Sequence, residues 1–470
     1  SLVSRTHLTN LHSLDYTLVE DVEERREKRN ILYFIISYVI NNLASGVLYD
    51  TFVNYLQEAQ TSIATSFWAF YGYATFISAA LLLFVPKLGY KKLLLFCSLG
   101  TACAFFCAVF MDASWVLYLA TLLALTGVQL HFIMLSPFVA CYTEHLKNEE
   151  IHWYTRAYYM GYIGYFLATY LGGACVVKAF SFVAKLTYAQ AQEATRYMTK
   201  LSPYLHQCYM DANRIVLFGV GCIALLSLLP VLCIKEKPED FQMELAPKIT
   251  WKEKINGARQ LLLNRFSRAY LLYWALISFA MGLFTSYYTV YLNRNLHIDK
   301  ATSSLMVSIS YVAIVLFMFL TPKCAKRFGK VGTIFLTVMA SIPFMLVIGN
   351  GNCFGKWVVP IVGVALFVRA GLANLSSPVD SALSMDVIPK DLRPVYTSVV
   401  NFTAGIVSIL SGHFTGKILF VHQSGYQLAY FIVAGLYAIA GIVLYRGLHT
   451  FNHKENKIVN DEGGNDEQFI

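Results

Sequence analysis

The sequence predicts an all-α integral membrane protein with twelve transmembrane helices arranged as two related halves. Of the 470 residues, 57% are hydrophobic and only 14% are charged, whereas a soluble globular chain has about a quarter charged residues. Twelve apolar stretches are each long enough to cross a bilayer, which takes about 20 residues. In addition, Leu135–Thr155 in the first half resembles Leu375–Thr397 in the second, with Pro137 matching Pro378.

The predicted spans follow one another along the chain with polar connections between them. The first half contains Ile31–Leu56, Thr61–Val85, Leu93–Met111, Trp115–Tyr142, Tyr154–Val177 and Ile215–Ile234. The second half contains Ala269–Leu292, Thr302–Thr321, Val331–Gly349, Trp357–Val387, Tyr396–Leu419 and Leu428–Tyr445. These spans predict six-helix domains at 31–234 and 269–446, a linker at 235–268, and polar tails at 1–30 and 447–470.

The distribution of basic residues predicts the orientation of the chain. If the N-terminus lies inside, the inner segments hold about three times as many Lys and Arg as the outer segments, and cytoplasmic loops carry this excess. We therefore expect a multi-pass protein of the cell membrane with both termini in the cytoplasm. These loops also account for the net charge of +9, so no nucleic-acid partner is expected.

The ten cysteines are scattered, and none forms a pair with metal-ligand spacing. Only Cys208 and Cys353 fall in segments assigned to the outside, and the sequence does not decide whether they form a disulfide. No cofactor or metal ion is expected.

The loops that follow spans two and eight carry basic residues in a related pattern. The first loop, LLFVPKLGYKK, contains Lys87, Gly89 and Lys91, and the second, PKCAKRFGK, contains Arg327 and Gly329. Twelve spans in two halves and these loops together make the chain similar to the major facilitator superfamily. The corresponding loop of that family has the form G-x-L-a-D-R-x-G-R-R-K, and its acidic residue is absent from both copies in this chain.

The resemblance covers 31–446 and implies two pseudo-twofold-related six-helix bundles. It also implies a gate role for the five loop residues just named. Glu144 and Asp386 lie at the inner ends of spans four and ten. Beside basic loops, these two carboxylates are candidates for salt bridges that close the cytoplasmic face, or are simply interfacial residues.

In this family, spans one, four, seven and ten line a central cavity, so their polar residues are the candidates for a binding site. Arg369 lies about a dozen positions into span ten, where an arginine is costly unless it faces protein or water. It is a candidate for binding an anionic solute group, unless it caps carbonyls or is permanently paired with a carboxylate. The other solute-binding candidates are Asn41, Gln129, Asn374, Tyr287, Tyr288 and Tyr311.

Arginine does not give up its proton, so any protonation switch must use a carboxylate or a histidine. Asp50 in span one, His131 in span four and Asp380 in span ten are the candidates. Each also has a simpler interpretation. Asp50 is near the outer end of its span, His131 is the kind of residue that often packs in a helix interface, and Asp380 is near the inner face.

The leading hypothesis for function is a secondary active transporter that moves a small organic solute, anionic or partly apolar, by alternating access with proton or Na⁺ coupling. An exporter of lipophilic or lipid-like compounds is an alternative, and a channel or a non-transporting receptor is an alternative of another class. An enzyme is not expected, because no HExxH or GxSxG motif is present. We expect a monomer that contacts its solute and membrane lipid.

Overall fold

The computed structural model of the protein describes residues 3–143, 150–241, 250–389 and 392–452. In this part of the chain the secondary structure is helical. Eleven of the described helical segments are long and apolar enough to cross a membrane, and a shorter apolar helix, Phe67–Leu82, completes a set of twelve. The prediction of an all-α membrane protein is confirmed.

The first bundle contains α1 to α6, and α1 continues through a π-helical turn, Leu48–Phe52, into a short helix, Val53–Ala59. The six helices are α1 Val3–Val47, α2 Phe67–Leu82, α3 Tyr90–Phe110, α4 Ser114–Thr143, α5 Glu150–Ala184 and α6 Pro203–Leu226. Short helices flank them at Thr61–Thr65, Val85–Leu88, Tyr188–Ala194, Thr195–Lys200 and Leu228–Cys233.

The second bundle contains α7 to α12 and follows the linker helices Pro238–Phe241 and Trp251–Leu263. Its helices are α7 Arg265–Gly282, α8 Lys300–Met318, α9 Thr321–Gly349, α10 Val358–Leu375, α11 Arg393–Lys417 and α12 Ser424–Leu448. Short segments continue or connect them at Thr285–Tyr287, Tyr288–Arg294, Gly351–Trp357, Ser377–Val387, Leu419–Val421 and His449–Phe451. We call the side where α1 enters and α12 ends the terminal face, and the opposite side the distal face.

Several helix starts have a side-chain cap that the sequence encodes locally. Asp299 accepts the backbone N–H of Thr302 at the start of α8, and Asn264 accepts two backbone N–H groups at the start of α7. Ser202 caps α6, with Pro203 at the first helical position, where a missing N–H causes no loss. Because of this cap, α6 begins twelve residues before its predicted start at Ile215, and that predicted boundary is wrong.

Four predicted spans are interrupted in the structure. The second span breaks at Ser66, between Thr61–Thr65 and α2, and the sixth breaks at Ser227, between α6 and Leu228–Cys233. The seventh breaks after Gly282, before Thr285–Tyr287. The tenth breaks at Ser376, one residue before Ser377–Val387, which has Pro378 in its first turn. A proline lacks the N–H needed to continue the hydrogen-bond ladder, which explains the break in the tenth span. Cys208 and Cys353 are both free thiols, so the disulfide that the sequence left possible does not form.

The two bundles meet along two helix pairs, α5 with α8 and α2 with α11. These pairs are related by the duplication, since α5 and α11 hold equivalent places, as do α8 and α2. Both contacts use glycine. A Cβ at Gly412 of α11 would collide with the backbone of Ala69, and one at Gly173 of α5 would collide with the Ser304 side chain. Small residues let helices approach closely in a membrane, so these positions fix the seam between the bundles.

Candidate functional site

A cavity of about 360 Å³ lies between the two bundles. Seven of the twelve helices or their extensions contribute to its wall: α1, α4, α7 and α10, as the family resemblance implies, and also α2, α5 and α8. Of its 24 lining residues, nine are aromatic: Tyr38, Tyr49, Trp68, Tyr71, Phe132, Tyr162, Tyr165, Tyr288 and Tyr311. The volume lies in the range of pockets that bind small organic molecules.

Arg369 lines this cavity from the middle of α10 and is 5% exposed. One guanidinium N–H donates to the hydroxyl of Tyr288 at 2.7 Å and another to the hydroxyl of Tyr437 at 2.8 Å. The guanidinium also lies 4.5 Å from the centre of the Phe284 ring, a cation–π contact. Among the described residues, no carboxylate lies within salt-bridge distance, and Nε has no hydrogen-bond partner. Its protein partners are therefore neutral.

Four of the other predicted solute-binding residues also line the cavity: Gln129, Asn374, Tyr288 and Tyr311. The Asn374 amide donates to the carbonyl of Ala370 on its own helix at 2.9 Å. Tyr311 stacks on Tyr165 across the seam of α5 and α8, with ring centroids 5.4 Å apart. The wall is thus mainly aromatic, with a few fixed polar groups.

The two remaining solute-binding candidates do not line the cavity. Asn41 is buried, one residue away from the cavity-lining Asn42. Tyr287 is buried nearer the distal face, where its hydroxyl donates to the carbonyl of Thr65 at 3.2 Å. Successive residues of a helix point about 100° apart, so a shift of one position moves a side chain off the cavity wall.

Asp50 is the proton-coupling candidate that lines the cavity. It lies in the π-helical turn of α1, and its Oδ2 accepts from the Lys300 ammonium at 3.3 Å and from the Ser304 hydroxyl at 2.9 Å. Lys300 is only 1% exposed and belongs to the other bundle. This ion pair therefore joins the bundles inside the protein. The sequence alone did not identify Lys300 as part of the site.

His131 and Asp380 lie away from the cavity wall. His131 is fully buried among Phe34, Tyr38 and other apolar side chains, and its Nε2 contacts the Ser37 hydroxyl at 3.2 Å. Asp380 lies on Ser377–Val387, towards the terminal face, and one of its carboxylate oxygens is buried without a partner. The structure thus separates the three candidates and leaves Asp50 as the one that, like Arg369, lines the cavity.

The predicted gate residues that the structure describes lie at the terminal face. Gly89 and Gly329 adopt matching backbone angles, with φ of 80° and 76°, a conformation that favours glycine. The Lys91 ammonium donates to the carbonyls of Leu232 and Ile234 at 2.8 Å each. Each of these contacts stays inside one bundle.

Asp386 forms an ion pair with Lys330 at 2.8 Å, which joins α9 to the extension of α10 inside the second bundle. Arg327 lies over the Phe328 ring at 5.4 Å, and Lys87 lies in the short helix Val85–Leu88. Glu144 falls outside the described residues.

An acid from the linker replaces the carboxylate that the first basic loop lacks. Glu236 accepts the backbone N–H of Tyr90 at 2.7 Å and that of Lys91 at 3.2 Å, at the start of α3. Burial raises the pKa of Glu236, and these two hydrogen bonds oppose that shift. In the second bundle Asn452 accepts the backbone N–H of Gly332 at 2.8 Å, three residues after Gly329 kinks α9. A residue that follows the last helix of each bundle therefore binds the backbone just after the equivalent glycine, Gly89 or Gly329.

The same linker segment is bound to α1. Asp240 accepts two hydrogen bonds from Arg26, at 2.7 and 2.9 Å, and one from the Tyr142 hydroxyl at 3.0 Å. Burial alone would raise the pKa of Asp240, but the hydrogen bonds from Arg26, the Lys237 N–H and Tyr142 lower it below its ordinary value.

Several contacts join the two bundles on the distal side of the cavity. Glu58 of the α1 extension forms an ion pair with Arg294 of the α7 extension, and His206 also contacts Glu58. Asn54 donates to the Thr289 hydroxyl at 2.6 Å. Among ion pairs of the described residues, the two that join the bundles are Glu58–Arg294 and Asp50–Lys300, and both lie on the distal side of Arg369.

The sequence matches the family model of the Major Facilitator Superfamily over residues 30–412, with a second match over 274–464. No curated protein matches the sequence significantly. Similar solved structures include the nucleoside transporter NupG (15% identity, TM-score 0.64, covering 89% of this chain and 98% of that one). A bacterial homologue of the iron transporter ferroportin in an inward-facing state is also similar (13% identity, TM-score 0.62, covering 90% of this chain and 98% of that one). The peptide transporter POT in complex with sulfate is similar as well (11% identity, TM-score 0.62, covering 90% of this chain and 95% of that one).

The family match covers most of the chain, and the fold of these structures agrees with the two bundles and the cavity between them. The chain therefore belongs to the major facilitator superfamily and has the transporter fold of that family.

Proposed function

We propose that the protein is a secondary active transporter that moves a small, partly apolar organic solute with an anionic group by alternating access. The observation that carries this proposal is the cavity itself: it lies between two bundles and is closed on one side by contacts that cross between them. If the bundles rock about the cavity, breaking those contacts opens the distal side. Solved relatives in fold include transporters of nucleosides, peptides and D-xylose, which supports an organic solute.

Arg369 is the proposed anchor of the solute, with Gln129, Asn374, Tyr288 and Tyr311 as the surrounding wall. Asn41 and Tyr287 do not line the cavity, and their proposed role is to support the side chains that do. Asp50 is the proposed coupling group. Taking up a proton would neutralise its carboxylate and weaken its attraction for Lys300, and so loosen one of the two ion pairs that join the bundles.

His131 and Asp380 remain secondary candidates for proton transfer, with Na⁺ as an alternative coupling ion. The excess of basic residues on the terminal side supports cytoplasmic termini in a cell membrane. The proposed domains are the six-helix bundles at 31–234 and 269–446, joined by the linker 235–268. The gate proposed for the terminal face consists of Lys87, Gly89, Lys91, Glu144, Arg327, Gly329 and Asp386. One observation favours the exporter alternative: the aromatic wall also suits a lipophilic compound.

Replacing Glu58 with glutamine is expected to shift the protein towards a distal-open form. The change removes the ion pair with Arg294, and about 1 kcal/mol lost from the closed form changes the population ratio roughly fivefold. Spin labels at two exposed distal positions, Tyr204 of α6 and Trp357 before α10, report the distance between the bundles in a cysteine-free variant. We expect a longer distal distance to gain population in Glu58→Gln.

A second label pair at Leu88 and Phe328 on the terminal face should shorten as the distal pair lengthens, because alternating access links the two sides. Asp211→Asn is the matched control, since Asp211 pairs with Arg214 inside α6 and does not touch the other bundle. If the spin-label distance at each face keeps a single value in every variant and at every pH, the result would favour a receptor. Opening of both faces together would favour a channel.

A further inference from the structure

The charges around the cavity do not cancel. Its 24 lining residues include two charged side chains, Asp50 and Arg369. Lys300, which lies behind the wall, already balances Asp50 at 3.3 Å. Arg369 is balanced by nothing comparable, because its partners among the described residues are two tyrosine hydroxyls and an aromatic ring. The site as a whole therefore carries one uncompensated positive charge.

That charge is buried, and burying it without a counter-ion is costly. The cost is lowest when a single negative charge enters the cavity with the solute. A dianion would leave one negative charge in excess, and a zwitterion or a neutral solute would leave the guanidinium uncompensated. A cation would add to the existing positive charge. The charge balance thus selects a monoanion.

The ring content of the wall and the volume limit the size and shape of the solute. Nine aromatic side chains surround about 360 Å³, and Trp68 and Tyr71 are held in a stacked pair with centroids 4.3 Å apart. The Trp68 position depends on Gly282, since a Cβ there would collide with the indole ring. Rigid aromatic walls favour a solute that itself has a planar ring.

We infer that the transported solute is a ring-bearing organic monoanion whose acid group is bound by Arg369. This inference rests on the proposed transport function and names its substrate class. Trp68 then contributes to specificity as part of the aromatic wall.

Five probes with one phenyl skeleton test the inference by calorimetric binding to the full protein in nanodiscs. They are 3-phenylpropanoate (monoanion), phenylpyruvate (monoanion with an extra ketone acceptor), phenylsuccinate (dianion), phenylalanine (zwitterion) and phenethylamine (cation). We expect the two monoanions to bind. The dianion should bind more weakly than either, and the zwitterion and the cation should not bind measurably.

Three variants assign the contacts. Arg369→Gln should weaken both monoanions by roughly tenfold to a hundredfold, the range for a charged hydrogen bond. Trp68→Ala, which removes one ring of the stacked pair, should weaken both monoanions. Arg446→Gln, at an exposed position of α12, is the control and should change neither. Equal binding of the zwitterion or cation, unchanged monoanion binding in Arg369→Gln, or no binding of any probe would overturn the inference.

These outcomes are separable from a failure of the transport proposal. The spin-label distances report alternating access without any solute. If the two faces exchange as expected but a neutral probe such as uridine binds better than the monoanions, transport stands and the substrate class is wrong. If the faces do not exchange while the monoanions bind through Arg369, the binding inference stands for a receptor and the transport proposal is wrong.

Discussion

Replacing Arg369 with methionine should raise the thermal stability of the protein and abolish its binding of 3-phenylpropanoate. Methionine is similar in length, flexible and apolar, so it fills the space of the arginine stem. The change removes a buried charge that no described carboxylate compensates, which lowers the free energy of the folded state. Two tyrosine hydroxyls and the Phe284 ring lose a partner, which offsets part of that gain. We expect a net stabilisation of about 1–2 kcal/mol.

The measurement is the thermal unfolding midpoint in nanodiscs, combined with calorimetric titration of the probe. Arg446→Met is the control, because substitutions at exposed positions usually change stability by less than about 0.5 kcal/mol. The opposite result is informative. A loss of several kcal/mol in Arg369→Met would show that the arginine holds the bundle together, which is the structural alternative raised by the sequence.

Breaking the buried Asp50–Lys300 pair should destabilise the protein far more than the loss of an exposed ion pair. Asp50→Asn leaves Lys300 charged in a site where it is 1% exposed, and Lys300→Met leaves Asp50 equally uncompensated. Removing one partner of a buried ion pair costs about 3–5 kcal/mol. The double variant Asp50→Asn/Lys300→Met buries no charge and should recover most of that loss.

A double-mutant cycle measures this coupling directly from the unfolding free energies of the four proteins. The Arg196–Glu193 pair is a matched control, because it is exposed and lies within one loop; its cycle should give less than about 1 kcal/mol. If the losses of Asp50→Asn and Lys300→Met simply add in the double variant, the two side chains do not form an ion pair in the membrane. Asp50 would then not be the group that ties proton uptake to the bundle seam.

The sequence predicts the fold well because a bilayer imposes few solutions on an apolar chain. Every backbone polar group in hydrocarbon must be paired within the chain, so long apolar runs become helices. Arg369 was identified for the same reason, since a charge in such a run has to face protein or water. The helix starts were harder to predict. The early start of α6 depends on Ser202 and Pro203, which lie in a polar segment with no apolar signal.

Lys300 shows why part of the site could not be predicted. In the sequence it follows Asp299 at the start of a span, where a lysine ordinarily reaches water. In the structure the outer segment that follows α5 covers it, with the Thr195 hydroxyl accepting the Lys300 backbone N–H at 3.1 Å. That cover comes from a residue about a hundred positions away. The approach of α5 at Gly173, which lets Ser304 and Asp50 meet, is equally non-local.

The same limit applies to Glu236. The basic loop lacks its family's acidic residue, and the acid that binds there belongs to a linker 147 positions after Gly89. The sequence also could not show which of two neighbouring residues lines the cavity. Asn41 and Asn42 are chemically identical neighbours, and only the rotation of α1 within the bundle decides that Asn42 lines the cavity.

We propose that Arg369 is a buried cation that binds the anionic group of a solute between two moving bundles. A cryo-electron-microscopy structure of the protein in a lipid nanodisc with 3-phenylpropanoate tests this proposal. We expect density for the carboxylate at hydrogen-bond distance, about 2.7–2.9 Å, from the guanidinium of Arg369. A carboxylate of the protein itself paired with Arg369, or the guanidinium turned towards lipid, would contradict it.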